Sequence, residues 1–267
     1  MMMDSLDQDK QTIAARFGRA TEAYHAFATV QKQSAKQLIS LAQSSKTLPE
    51  GPILEIGCGT GFVTQELVRS FPHRSIEVTD LSSEMLQFCR EHLQISPQQA
   101  SLLSFHLLDG ETSNCNAQKY ALIAGGFVLQ WFRHPEKSIL NLLDQLLPDG
   151  QLLLSFPTCH SFSEWRQVCQ LLNLPFTANA LPDAQALMQR IAQNNLQVTI
   201  KEASSYTVHN DAAQFFRELK AIGAGFSTTR KKLSVSQMKQ LIQVWNQQSG
   251  DKIQVHHHIA FCSIQRD

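Results

Sequence analysis

The side chains best suited to chemistry begin in one short segment, Glu55-Ile56-Gly57-Cys58-Gly59-Thr60-Gly61. Glycines at this spacing let the backbone turn sharply and approach a ligand where a Cβ would block it. The acid two residues before the first glycine then selects among ligands. A loop built for a pyrophosphate aims amide N–H groups at an anion, whereas a carboxylate at Glu55 suits a ligand bearing an ammonium or sulfonium. Asp80 follows roughly 20 residues on, where a carboxylate accepts hydrogen bonds from ribose hydroxyls. Asp109 is a third acid, placed to accept from an adenine amino group. A glycine loop and two acids at successive strand ends point to a nucleoside-bearing cofactor, with NAD as the alternative. The plainer reading is a turn whose neighbouring acids only cap helices.

These residues need a scaffold, and the periodicity supplies one. Residues 4–45 carry apolar positions at three- and four-residue steps, which predicts one or two helices. Strands are expected at 53–56, 75–79, 102–107, 121–124 and 151–156, with helices at 62–70, 83–93 and 135–147 between them. Such alternation predicts an α/β fold, a mostly parallel sheet with helices on both faces. Beyond Pro157 the rhythm changes, and 158–195 reads as an inserted helical cap. A strand at 196–209, helices from Asp211 and Ser234, and a last alternating strand from Ile253 to Phe261 complete seven strands. The domain division expected is 1–48 as N-terminal helices over the active site and 49–267 as the main domain.

The glycine loop and its acids resemble class I S-adenosylmethionine-dependent methyltransferases over about residues 50–156. Further segments narrow the match: Arg16-Phe17-Gly18-Arg19-Ala20 with Tyr24, Val128-Leu129-Gln130-Trp131, Leu219-Lys220-Ala221-Ile222-Gly223-Ala224, Leu233-Ser234 and the His257-His258 strand. By their order and spacing they are similar to the malonyl-[acyl-carrier protein] O-methyltransferases of biotin synthesis, over nearly the whole chain. Three places depart from that pattern: the segment after Asp109 lacks a Leu-Pro, Gly126-Phe127 replaces an Asn-Leu pair, and His257 stands where Tyr is common.

The resemblance implies a Rossmann-like sheet with an antiparallel last strand, and S-adenosyl-L-methionine as cofactor. Glu55, Gly57, Cys58, Gly59 and Gly61 would cradle its methionyl portion. Asp80 would hold the ribose, Leu81, Met85 and Phe127 would flank the ligand, and Asp109 would take the adenine amino group. The implied reaction methylates the free carboxylate of malonyl-acyl carrier protein, making a methyl ester that primes pimeloyl synthesis. A carboxylic acid with a pKa near about 4 is already ionised at neutral pH, so no general base is expected. Tyr24, Gln130 and Trp131 are then positioning residues, and Arg16, Arg133 and Arg230 are candidates to meet the substrate carboxylate. The alternatives are methylation of a quinone precursor or a free dicarboxylic acid, and a catalytically silent subunit that only binds the cofactor.

Composition narrows the remaining classes. The 267 residues hold 23 Lys+Arg against 23 Asp+Glu, so no protein-wide positive field exists to attract nucleic acid or an anionic membrane. The six cysteines are scattered without a Cys-x-x-Cys pair, and no metal site is expected. Successive residues on a strand point to opposite faces, so His256-His257-His258 is a poor metal site despite its composition. Asp4, Asp7 and Asp9 stand where a secretory leader is basic, and no apolar run approaches a membrane span; a cytoplasmic enzyme with free thiols is the expectation. Basic residues gather locally at Arg16, Arg19, Arg217, Lys220, Arg230, Lys231 and Lys232, a pattern that would dock an acidic carrier protein.

Overall fold

Alternation sends neighbouring residues of the first strand to opposite faces, and the computed structural model, which describes residues 3–43, 48–112, 119–224 and 231–266, buries both. In that strand, β1 (Ile53–Ile56), Ile53 enters one apolar core and Leu54 the other. Parallel partners surround it: β2 (Ile76–Asp80) and then β3 (Leu103–Leu107) on one side, β4 (Tyr120–Gly126) and then β5 (Leu146–Pro157) on the other. The order of the seven strands is β3-β2-β1-β4-β5-β7-β6, with β6 (Leu196–His209) at the edge and β7 (Ile253–Arg266) antiparallel to both of its neighbours. The chain moves outward from β1 to β3 and then crosses back to β4. Such a reversal opens a crevice at the C-terminal ends of β1 and β4, the usual place for a ligand in an open α/β sheet.

Helices cover both faces. Leu38 and Ile39 of α3 (Thr29–Gln43), Leu67 of α4 (Phe62–Ser70) and Cys89 of α5 (Ser83–His92) close one core. After the one-turn α6 (Pro97–Ala100), Ile139 and Leu142 of α7 (Pro135–Leu143) close the other, together with Leu187, Met188 and Ile191 of α9 (Ala184–Ala192). Among the described residues no helix is long and apolar enough to cross a membrane.

Several boundaries differ from those expected. The N-terminal region is three helices, α1 (Met3–Arg19), α2 (Thr21–Phe27) and α3, rather than one or two. The helix expected over 135–147 stops at Leu143, because Leu146 already pairs with Tyr120 in the sheet. The segment expected to be a cap divides. Its second helix, α9, lies on the sheet because the crossover from β5 to the parallel β6 must bury a core face, and the stripe Ala184, Leu187, Met188, Ile191 is that face. Its first, α8 (Ser163–Leu171), packs with α10 (Ala212–Ala221) and α11 (Val235–Ser249) around Trp165, Phe215 and Trp245.

The frame for this third cluster is a ribbon. β6 and β7 pair from Leu196↔Arg266 to His209↔Ile253, whereas β5 follows β7 only between Gln265 and Ile259. The rest of the ribbon projects past the C-terminal edge of the sheet, and its Ile253 and Val255 join the apolar centre of α8, α10 and α11.

Candidate active site

The loop after β1 runs through left-handed backbone at Gly57 and Gly59, with φ of +66° and +53°. It is pinned to β2 at two points. Cys58 N–H donates to the Thr79 carbonyl at 2.8 Å, and Gly59 N–H donates to Asp80 Oδ2 at 2.8 Å. The other Asp80 oxygen accepts Ser82 N–H at 2.9 Å. Burial raises the Asp80 pKa, and these amide hydrogen bonds oppose the rise. Ser82 also caps α5 by accepting Met85 N–H at 3.3 Å, which sets the first turn of that helix beside the loop.

A cavity of about 950 Å³, its open mouth included, occupies the crevice. It is lined by Gly57, Gly59, Asp80, Leu81, Met85, Asp109 and Phe127 from the expected cofactor set, and by Tyr24, Gln130 and Trp131 from the expected positioning set. Glu55, Cys58 and Gly61 do not line it. Glu55 is fully buried behind the loop, where Thr64 Oγ–H donates to its Oε2 at 2.6 Å and Oε1 has no partner. Burial pushes its carboxyl up to about 8 despite the Thr64 bond. Cys58 is buried and its thiol is raised well above the ordinary value, by its hydrogen bond with Cys89 first and by burial next, which makes it a poor nucleophile.

The N-terminal helices roof the cavity with aromatics. Tyr24 lies stacked against Phe62 at 6.4 Å between centroids, and Phe17 places ring edges against Tyr24 at 5.9 Å and Trp131 at 5.3 Å. Burial, with the Asp80 and Cys58 charges adding to it, raises the Tyr24 phenol pKa far above its usual range. Gly223, just after α10, meets the same Phe17: it holds φ of +78° and a Cβ there would lie 3.1 Å from Cδ1, so glycine is favoured where the α10 end and the roof touch. Beneath, Phe127 holds φ of +56°, an uncommon conformation for a bulky residue. It is fixed by its N–H on the Ser155 carbonyl and by its own carbonyl accepting Gln130 Nε2, both at 2.7 Å.

Charge enters from an unexpected direction. Lys10 on α1 lines the cavity and places Nζ 2.5 Å from Asp109 Oδ2 and 2.7 Å from Glu111 Oε2. The remaining oxygens are used as well: Asp109 Oδ1 accepts Glu111 N–H at 3.0 Å, and Glu111 Oε1 accepts His134 N–H at 2.7 Å. Sequence reasoning missed Lys10, Glu111 and the cavity-lining Gln31. One signal was present, because Lys10, Ile13, Ala14 and Phe17 share a helical face and all four line the cavity. Arg133 pairs with Asp9 at 3.0 Å, Arg16 is exposed, and neither lines the cavity. Arg230 lies outside the described residues.

The histidine run disperses among separate partners: His256 to Ser204 Oγ at 2.8 Å, His257 to Thr207 Oγ1 at 3.0 Å and His258 to Thr158 Oγ1 at 2.8 Å. Among the described residues no group of three His, Cys, Asp or Glu is placed to hold a metal ion.

Comparison with known proteins agrees with this geometry. Residues 54–152 match a family model described as a methyltransferase domain. The fold resembles magnesium protoporphyrin IX methyltransferase from Synechocystis PCC 6803, solved with bound SAH, at a TM-score of 0.55 and 14% identity over 90% of this chain and 85% of that one. A biotin biosynthesis bifunctional protein BioCD of Bordetella avium is 27% identical over 90% of this chain and 50% of its own length. A malonyl-[acyl-carrier protein] O-methyltransferase of Magnetococcus marinus is 32% identical over 86% of this chain and 84% of its own length. With the glycine loop, the acids at the ends of β2 and β3 and this likeness along most of both sequences, the chain belongs to the malonyl-[acyl-carrier protein] O-methyltransferase family.

Proposed function

We propose that this protein methylates the free carboxylate of malonyl-[acyl-carrier protein], using S-adenosyl-L-methionine, and so makes the methyl ester that primes pimeloyl synthesis for biotin. One observation carries the reading. The titratable side chains lining the cavity, among the described residues, are Lys10, Tyr24, Asp80 and Asp109. Lys10 and Asp109 are paired with each other, Asp109 also accepts Glu111 N–H, Tyr24 is a phenol of raised pKa, and Asp80 accepts the Gly59 and Ser82 amides. None is suited to deprotonate an alcohol or phenol, so the acceptor must arrive ready to react, as a carboxylate does.

The residues present fit the cofactor. At Gly59 the nearest atom to an added Cβ is Tyr24 Cε1 at 3.7 Å, so the bare backbone faces open cavity. Two carboxylates, Asp80 and Asp109, line the same cavity as Gly57 and Gly59 and can accept from hydroxyl and amino groups. Gly57 and Gly59 would hold the methionyl portion, Asp80 the ribose, Leu81 and Met85 the base, and Asp109 its amino group. When bound, S-adenosylmethionine supplies a methyl group on a cationic sulfonium. Phe17, Tyr24 and Trp131 would exclude water from a reaction that cancels opposite charges, and the neutral amides of Gln31 and Gln130 would orient the acceptor. No arginine lines the cavity among the described residues, which leaves the acceptor carboxylate its nucleophilicity.

The carrier would dock on the cluster of α8, α10 and α11. Arg217 and Lys220 are exposed on α10, the helix that leads into the cavity-lining Ile222 and Ala224, and Lys231 and Lys232 are exposed before α11. The test is to incubate the purified protein with S-adenosylmethionine and malonyl-acyl carrier protein, malonyl-CoA or free malonate, and to weigh the products. One added methylene on the carrier substrate is expected. Methylation of free malonate alone would favour a small-molecule enzyme, and no methylation of any malonyl thioester would overturn the reading.

A further inference from the structure

Lys10 has no place in the reaction described so far, yet it is the cation of the cavity lining among the described residues. Its side chain is only 14% exposed, and that of Glu111 beneath it 7%. An ammonium has three protons. One is donated to Asp109 Oδ2, Glu111 Oε2 lies 2.7 Å away as an ion-pair partner without a hydrogen bond, and the residue borders the cavity, so protons remain for a group bound there. An acceptor for substrate carboxylate is a poor description of this group, since two carboxylates already surround the charge and a third anion would be repelled.

We propose that Lys10 and Asp109 together read the edge of the adenine base, Asp109 accepting from the amino group while Lys10 donates to a neighbouring ring nitrogen. This rests on the adenosyl cofactor assigned above. Adenine presents a donor beside acceptors on that edge, whereas a 6-oxopurine presents an acceptor in place of the amino donor. A lysine donor next to a carboxylate acceptor is complementary to the first and mismatched to the second. Glu111 is the support: its Oε1 accepts His134 N–H, and its Oε2, 2.7 Å from Nζ as an ion-pair partner, holds the ammonium's charge beside Asp109. Because Lys10 sits on α1, base recognition is completed only when the N-terminal helices are seated, and the neighbouring Asp9–Arg133 pair seats the same helix turn.

Calorimetric affinities for S-adenosylhomocysteine and S-inosylhomocysteine, measured on the wild type, Lys10→Met and Lys10→Arg, test this, with the melting temperature of each ligand-free protein as a control. Lys10→Met should weaken adenosyl binding about tenfold or more and shrink the adenosyl-over-inosyl preference, while Lys10→Arg keeps most of both. An unchanged preference in Lys10→Met, whether affinity is retained or both ligands weaken equally, would overturn the proposal and leave Lys10 a structural residue. Should Lys10→Met fail to fold, an adenosyl preference in Lys10→Arg reduced as far as for a protein without discrimination would also overturn it. Absence of S-adenosylhomocysteine binding to the wild type would overturn the cofactor reading itself, a distinct outcome.

Discussion

The Asp80 carboxylate accepts the Gly59 N–H at 2.8 Å, so the acid that ends one strand holds the loop that follows its neighbour. Asp80 would thus act twice, on the ligand and on the loop. Asp80→Ala removes the acceptor for both the Gly59 and Ser82 amides. Titration calorimetry should find S-adenosylhomocysteine binding weakened at least a hundredfold, with Asp80→Asn intermediate. Wild-type affinity in Asp80→Ala would refute the ribose assignment.

Glu55 makes stability depend on pH. Its folded pKa, near 8 against an ordinary value of 4.5, means that the ligand-free folded state binds a proton that the unfolded chain has released. Its contribution is complete below about pH 4.5 and is lost as pH rises through about 8. Melting temperatures across that window should fall more steeply in the wild type than in Glu55→Gln, which is neutral throughout. Equal slopes would show that Glu55 is ionised in the fold.

His257 acts in the opposite sense. Burial first, then the His209 and His256 charges, lower its pKa from 6.5 to about 4. Its contribution is present above about 6.5 and lost as pH falls toward 4. His257→Gln keeps a polar group near Thr207 without titrating, so the mutant should lose less stability between pH 6.5 and 4. Parallel acid melts of the two proteins are the check.

Gly110 packs against the end of β1: a Cβ there would lie 2.1 Å from Ile56 Cγ2. Gly110→Ala should cost about 1–3 kcal/mol in urea unfolding and weaken S-adenosylhomocysteine, since the clash falls next to Asp109. Added to Ile56→Ala, the same change should cost less than it does alone.

For the carrier, reversing charge at Lys231 and Lys232 should reduce kcat/KM for malonyl-acyl carrier protein more than for malonyl-CoA, and the gap should narrow in high salt. Equal losses on both substrates would place docking elsewhere.

Much of the sheet and half of the site could be read in advance because their signals are local. Ile53–Ile56 running into glycines, Asp80 and Asp109 at strand ends, and the alternation of β6 and β7 each lie within a few residues of one another. What escaped depends on distant contacts. Lys10 looks like any lysine on a polar helix until Asp109 is brought beside it. The stripe of α9 is equally compatible with a cap or a sheet, and only the crossover to β6 decides between them. The N-terminal region breaks at Ala20, with only Gly18 nearby to mark it, and at Ala28, where neither glycine nor proline stands. Tyr24 and Trp131 were expected at the cavity, but their bridge, Phe17, is a tertiary contact that spacing cannot show.

The pairs that seat α1 also order events during synthesis. Lys10 precedes Asp109 by 99 residues and Asp9 precedes Arg133 by 124, so α1 is without both partners until the fourth strand and the turn beyond it have been translated. At about 5–20 residues per second this is a wait of roughly 5–25 s. The roof of the cavity thus leaves the ribosome well before the residues that hold its first helix in place, and its seating waits on strands made after it.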